Sequence, residues 1–346
     1  MSEILPVDLF LSAPGSILDV RSPGEFNQGH IPGAVNLPLF SDDERATVGT
    51  CYKHEGREAA VELGFEIVGP KQATLLRQAK AIAAGSTVRL HCWRGGLRSE
   101  SVAWLLTTGG LQTATLEGGY KAFRRWVRTA LSQSKPIQLL GGMTGTGKTD
   151  ILHCLHKLGE QVLDLEGVAN HRGSSFGALG LPPQPSTEQF ENLLAFAWQK
   201  FDPSRPIWIE AESRNVGSCR IPPELFDQMG QASALAVTRS RSERVALLVD
   251  CYGQADAADL IAATERIRKR LGGDRTQSAV SAIEHNDLAT AVEIILNYYD
   301  RAYTHDLQRR NQTIPEVSID GLSAQEAALT LTKIRNSTKM AHKLGA

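Results

Sequence analysis

HCWRGGLRSE, residues 91–100, is the stretch whose reading decides the fold of the first third of the chain. TVRLHC (87–92) leads into it as a short, apolar, partly β-branched run, the pattern of a buried strand. SESVAWLLTTGG (99–110) follows as a helix ended by glycine. Trp93 to Arg98 then make the turn between them. Backbone N–H groups of such a turn converge, and the positive end of the next helix points at the same spot. Cys92 in that cup is expected to be a thiolate nucleophile. Arg98 offers a two-pronged fork to an oxyanion, Arg94 adds positive charge, and Gly95 and Gly96 let the backbone fold tightly. His91 is expected either to tune the cysteine or to be a packed strand residue. Two chemistries share this spelling: phosphate-ester hydrolysis through a cysteinyl phosphate, and sulfur or selenium transfer through a persulfide-like adduct.

Outward from the loop, SILDV (16–20) and TATLEGG (113–119) read as further strands and KQATLLRQAKAIAAG (71–85) as a helix, so the first region is α/β with a mainly parallel sheet. SQSKP (132–136) is a polar break and the best boundary. IQLLGG then runs as a strand into GGMTGTGKT, which holds the phosphate-loop pattern from Gly142 to Thr149 between a strand and a helix. Gly142, Gly145, Thr146 and Gly147 shape a backbone cradle for phosphates, Lys148 supplies a point charge, and the Thr149 hydroxyl can hold Mg²⁺. The pattern predicts that a phosphate or diphosphate binds, not that ATP is hydrolysed.

QVLDLEG (161–167) and RPIWIEAES (205–213) read as strands that place Asp164 and Glu166, and Glu210 and Glu212, beside the phosphate loop. His171, Arg172, Ser174 and Ser175 lie in the loop that follows the first of them. These groups are candidates to support substrate or metal, with helix capping and surface pairing as equal alternatives. STEQFENLLAFAWQKF (186–201) is a strong helix, with Ser186 and Gln189 as a capping box. SALAVTRS (233–240) reads as another strand, and the chain beyond it as mostly helical and basic. The expected domains are 1–131, carrying the Cys92 loop, 135–240, carrying the phosphate loop, and a helical, basic part, 241–346, packed on the second.

Bulk numbers fit this picture. The chain has 346 residues, 42% hydrophobic and 22% charged, enough for more than one core. A net charge of -1 excludes a uniformly basic surface but leaves local basic patches open. The five cysteines are scattered and never form a CxxC pair, which argues against a disulfide framework or zinc site and for a reducing cytoplasm. No signal peptide or membrane span is expected. Cys51, in GTCYK, is best read as a small buried hydrophobe.

The Cys92 loop taken alone fits the tyrosine-phosphatase signature. ILDVRSPGEFNQGHIPGAVNLPL (17–39), however, resembles the opening of the rhodanese family. That resemblance makes Asp19, Arg21, Glu25, His30, Pro32 and Gly33 scaffold around the active-site loop. The spacing from Cys92 to Arg98 is one residue longer than is usual in single-domain rhodaneses and keeps the phosphatase alternative open. DDERATVGTCYKHEG (42–56), CWRGGLRS, LEGGYKAFR, GGMTGTGKT, DLEGVANHRGSSFG and LNYYDRAYTHDL, in this order, resemble the bacterial tRNA 2-selenouridine synthase family.

The resemblance implies a rhodanese-like parallel-sheet domain followed by a P-loop NTPase-like α/β domain with a mainly helical C-terminal part. It implies replacement of sulfur by selenium in 2-thiouridine at the tRNA wobble position, with selenophosphate as donor and S-geranylation from geranyl diphosphate as a linked activity. No tightly bound cofactor is expected, Mg²⁺ is compatible with the phosphate loop, and an enzyme supplying selenophosphate is a candidate partner. Candidate tRNA contacts are Arg124 and Arg125, the cluster Arg266, Arg268, Lys269 and Arg270, and the aromatics Tyr298 and Tyr299. DLQRR (306–310) adds further basic residues, while solvated helix faces and core tyrosines are the equal alternative for each cluster.

Overall fold

The computed structural model describes residues 2–85, 87–309 and 314–344, and their side chains outside 304–309 and 337–344. The chain divides into two compact units, one of Met1–Leu131 with Glu188–Phe196, the other of Ser132–Thr187 with Ala197–Ala346.

The first unit is built on five strands: β1 (Glu3–Leu5), β2 (Ser16–Asp19), β3 (Val35–Asn36), β4 (Val88–His91) and β5 (Thr113–Leu116). They lie in the order β1-β5-β4-β2-β3, with every pairing parallel. β2, β4 and β5 are short apolar runs buried along nearly their whole length, as parallel strands covered on both faces must be. Leu18, Leu90, Val102 and Leu106 join the core between the sheet and the helix Leu97–Thr108. That helix starts two residues earlier than its sequence pattern suggests, so Arg98 lies in its first turn. The helix Gln72–Ala83 ends on Ala84 in the left-handed region (φ 46°), with Gly85 only after it.

Part of the helix Thr187–Lys200 belongs to this unit. Asn192, fully buried, donates to the His30 carbonyl (3.0 Å) and the Tyr120 hydroxyl (2.8 Å), and Gln189 accepts the His30 N–H (2.8 Å). The sequence offered no sign that this helix would be shared between units.

The second unit contains β6 (Ile137–Gly142), β7 (Gln161–Leu163), β8 (Ile207–Glu210), a small hairpin of β9 (Asn215–Val216) and β10 (Cys219–Arg220), β11 (Ser233–Thr238) and β12 (Glu316–Ser318). Its main sheet runs β12-β11-β6-β8-β7, again all parallel. Two sequence expectations change here. The strand expected over 161–167 stops at Leu163, because Asp164 caps a short helix, Leu165–Ala169, by accepting the Gly167 N–H (2.7 Å). The chain after residue 240 is mainly helical but returns to the sheet: β12 pairs with β11, and Ile319, Ala327, Ala328 and Leu331 pack into the same core as Leu140, Leu152 and Trp208.

Candidate functional site

The Cys92 loop sits at the C-terminal end of β4, between its neighbours β2 and β5, where parallel sheets place their sites. Two backbone ties fix it: Tyr120 N–H donates to the Cys92 carbonyl (2.8 Å) and Lys121 N–H to that of Trp93 (2.9 Å). The close approach needs glycine on both sides. Gly119 has φ 59°, and a Cβ there would lie 2.3 Å from Gly95 N and 2.5 Å from the Cys92 carbonyl oxygen. The LEGGYKAFR string thus contains the surface against which the loop is moulded, a role its sequence did not announce.

Around Cys92 Sγ stand the Ser99 hydroxyl (3.3 Å) and the Gly96 N–H (3.5 Å). Burial pushes the thiol pKa up, but Ser99, Gly96 and the Arg98 charge outweigh it and bring the pKa below the ordinary thiol range. Arg98 pairs with Glu25 (2.7 Å), which also forms a capping box with Ser22. Glu25, a scaffold residue by resemblance, therefore holds the arginine of the site. Asp19 and Arg21 are scaffold in the full sense: both are fully buried and paired at 2.5 Å, and the guanidinium lies 3.7 Å from the Tyr120 ring centre. His91 is a packed histidine. Burial is the main cause that pushes its pKa down to about 4, so it is neutral at pH 7, with Nε2 3.6 Å from Asp19.

Arg94 and Arg98 line, with Cys92, a cavity of about 820 Å³ that also receives Arg45 and Lys53 from the helix Asp42–His54. Among the described residues no acidic residue lines it, although Glu25 pairs with Arg98 and lies 4.0 Å from Arg45. Cys51, on the same helix, is buried, and burial pushes its thiol pKa up.

In the second unit, Gly142, Gly145 and Gly147 all have φ in the region that favours glycine (149°, 83° and 82°). Lys148 Nζ bonds the Gly142 carbonyl (2.8 Å) and lies 3.3 Å from Glu210. The Thr146 hydroxyl is buried and turned inward onto the Met143 carbonyl (2.8 Å), so it braces the loop. Thr149 donates to Glu166 (2.8 Å).

Glu166, Glu210 and Glu212 converge, each offering an oxygen within 4.8 Å of the others. Burial first, and then the neighbouring carboxylates, push Glu166 up to about 8 and Glu212 up to about 7. One Glu210 oxygen is buried without a hydrogen-bond partner among the described residues. A set of hard oxygen donors short of positive charge fits a divalent cation such as Mg²⁺, with the Thr149 hydroxyl beside it. Gly173 (φ 64°) lets its loop pass the cluster, since a Cβ there would lie 2.9 Å from both Glu166 and Glu212.

Asp164 does not join the cluster; besides capping its helix it pairs with His153 (2.9 Å). His171, Arg172 and Ser174 spend their polar groups on their own loop, and Ser175 ties that loop to the helix Ala257–Arg266. His171 accepts the Gly173 N–H (3.1 Å), Arg172 donates to the Leu179 carbonyl (2.7 Å), Ser174 accepts the Phe176 N–H (3.2 Å) and Ser175 donates to the Ala263 carbonyl (3.0 Å). Arg244, which the sequence did not single out, is buried, donates to the Thr144 carbonyl of the phosphate loop (2.8 Å) and pairs with Asp300. One basic residue in a helical, basic region carried no distinguishing signal.

The candidate nucleic-acid contacts separate. Arg124 pairs with Glu191 and bonds Asn192 and the Glu188 carbonyl inside the first unit, so it is committed to the fold. Arg266 donates to the Ser175 carbonyl (2.8 Å), and the Tyr299 hydroxyl accepts the Ser175 N–H (3.0 Å). Arg268 pairs with Glu265, and Arg270 donates to Tyr298. Arg125 and Lys269 are exposed. The DLQRR stretch lies outside the residues whose side chains are described.

A cysteine cup on a rhodanese-like sheet, in one chain with a phosphate loop on a second parallel sheet, defines a two-domain protein built from a rhodanese-like module and a P-loop module. A family model for the rhodanese-like domain matches residues 8–125, and one for the tRNA 2-selenouridine synthase AAA domain matches 135–330. A tRNA 2-selenouridine synthase of Marinobacter nauticus is 36% identical, over 86% of this chain and 90% of its own length. One from Pseudomonas putida (strain GB-1) is 38% identical over 90% and 92%, and one from Shewanella denitrificans 34% over 88% and 92%. The chain belongs to the tRNA 2-selenouridine synthase family.

Proposed function

We propose that this protein is a tRNA 2-selenouridine synthase that acts in two steps on 2-thiouridine at the wobble position. In the first, the base sulfur attacks geranyl diphosphate, the carbon–oxygen bond breaks, diphosphate leaves on the phosphate loop, and the N3 proton of the base is released to solvent. The Gly142–Thr149 backbone and Lys148 stabilise the charge that develops on that leaving group. In the second, selenophosphate binds in the cup of Cys92. Its selenium is already at the oxidation level of selenide, so passage of the phosphoryl group to the Cys92 thiolate releases hydrogen selenide with no reductant. Selenide adds at C2 of the S-geranyl base, the C2–S bond breaks, and geranyl thiol departs with the proton. The phosphocysteine is cleared by water.

The observation that carries this reading is the Cys92 cup: a thiol held below its ordinary pKa, opening on a cavity with four cationic side chains and, among the described residues, no carboxylate in its lining. Such a site suits a phosphorylated donor and an anionic RNA together. The long Cys92–Arg98 spacing, shared with phosphatase loops, also suits capture of a phosphoryl group. The same carboxylates that would hold Mg²⁺ supply a counter-charge for Lys148; Mg²⁺, when bound, would neutralise diphosphate. No helix of the described residues is long and apolar enough to cross a membrane. We place the enzyme in the cytoplasm with its tRNA, supplied by a selenophosphate-forming enzyme. Mass spectrometry of tRNA nucleosides tests the reading: deleting the gene should remove 2-selenouridine and S-geranyl-2-thiouridine and leave 2-thiouridine. Retention of 2-selenouridine would sink it.

A further inference from the structure

Two helices beside the Cys92 loop carry apolar stripes that line one cavity. On Arg57–Val68, Val61, Gly64, Phe65 and Val68 fall at helical spacing, and on Leu97–Thr108, Leu97, Trp104 and Leu105 do the same. Such a stripe ordinarily marks the side that meets the core. Here both stripes line a cavity of about 280 Å³, closed beneath by Leu39 and Phe40. Four of its large side chains remain well exposed: Tyr52 60%, Phe65 63%, Leu97 49% and Trp104 65%. A cluster of this kind marks a surface that something covers.

The cavity shares the walls Phe40, Val48, Tyr52, Leu97 and Arg98 with the cationic cavity of Cys92. The two form one site with an apolar limb and a cationic limb, and among the described residues no Asp or Glu lines either. Its complement is a ligand that carries an apolar chain on an anionic body. The volume equals about nine waters at roughly 30 Å³ each, room for one short branched hydrocarbon chain.

We propose that this apolar limb seats the alkyl group borne on the sulfur of the S-alkylated wobble base during selenation. The inference rests on the S-geranylation route proposed above. With the chain between the two helices and the RNA phosphates on the cationic limb, C2 of the base is presented toward Cys92. When selenide adds at C2 and the C2–S bond breaks, the thiol that leaves is already housed in apolar surroundings. The limb then explains why the base is alkylated with a hydrocarbon chain rather than merely activated: the chain is the handle by which the Cys92 site recognises its substrate.

The test uses the full chain, selenophosphate, and anticodon stem-loop RNAs carrying S-geranyl-2-thiouridine, S-methyl-2-thiouridine or 2-thiouridine. Gly64→Leu fills the limb; a Cβ at this helical position meets only the Phe40 ring, at 3.6 Å. Trp104→Ala removes an exposed wall with little cost to folding. Wild-type protein should convert S-geranyl RNA with a kcat/KM at least about tenfold above S-methyl RNA, the scale of discrimination an apolar pocket provides. Both variants should erase that preference, mainly by raising KM for S-geranyl RNA. They should keep the S-methyl reaction and the geranylation of 2-thiouridine RNA, which also shows that they fold. Wild-type protein that leaves S-geranyl RNA unconverted overturns the route and the limb together. Conversion that both variants perform with the preference intact overturns the limb alone. Loss of geranylation in the variants would mean that the limb serves the geranyl donor and not the alkylated base, and would likewise overturn it.

Discussion

The two phosphate-type loops solve the problem of holding an anion in opposite ways. Around Cys92 the reacting groups are held before anything binds, Arg98 by Glu25, Arg21 by Asp19 and the thiol by Ser99 and Gly96, while Arg45, Lys53 and Arg94 keep the cavity cationic. At the phosphate loop one lysine faces three converging carboxylates, two of which sit well above their ordinary pKa. The first site is set for an anion alone. The second carries an excess of buried negative charge, so it must take up a proton or a cation before it can tolerate a diphosphate. A fold can preorganise one site by internal pairing and leave another dependent on what arrives with its ligand.

The sharpest way to break this contrast is to remove each reacting group in turn. Cys92→Ser should lower selenation by about a hundredfold or more, as loss of a nucleophile does, while geranylation persists. Lys148→Ala should do the reverse, lowering geranylation by about a hundredfold, the worth of one preorganised contact to a leaving group. Given RNA that is already S-geranylated, the Lys148 variant should still selenate it. Equal loss of both activities in both variants, measured by nucleoside mass spectrometry, would abolish the division of labour.

A smaller effect should appear in stability. Glu166 and Glu212 hold protons in the folded state that the unfolded chain releases near pH 4.3. Folded stability should therefore fall as pH rises from about 5 toward 8, since the native state binds the extra protons in that window. Thermal melts in a chelator should show the decline, Glu166→Gln should flatten it, and Mg²⁺ should raise the melting temperature more at about pH 8 than at about pH 6. A melting temperature that is flat across this range, with or without Mg²⁺, would show that the carboxylate cluster is not under charge stress. The smallest effect belongs to Ser99→Ala, which should move the pH profile of Cys92 alkylation upward, read on the Cys92 peptide by mass spectrometry.

Local chemistry made the loops legible in sequence. Cys92 to Arg98 and Gly142 to Thr149 each lie between a strand and a helix, and glycines stand where the backbone must turn. Glu166, Glu210 and Glu212 were legible as strand-end carboxylates, but Asp164 looked the same and became a helix cap. Helix capping was an equal alternative for each of these carboxylates, and Asp164 is the one that took it, at the short helix after Leu163. Partners from distant segments were not legible. Glu25 beside Arg98, Arg244 under the phosphate loop and Gly119 against Gly95 depend on pairings that only the folded chain creates. Basic clusters left two roles open in sequence: Arg124 and Arg266 carry the charge that RNA contacts require, and each also bonds carbonyl or carboxylate partners of the protein itself.

The return of β12 to the second sheet sets a timetable for synthesis. β6, which leads into the phosphate loop, is paired on one side by β11, but β11 has an open edge until Glu316–Ser318 arrives. Asp320 and Gly321 then tie down Ser240 and Glu243 at the start of the helix that carries Arg244. At about 5–20 residues per second, a ribosome spends several seconds between making β11 and making β12. The whole of the Cys92 unit, the segment 188–196 included, is made before β11 and can mature well before that point. Each new molecule thus passes through an interval in which its cysteine unit is fully synthesised while its phosphate loop still rests on an unfinished sheet.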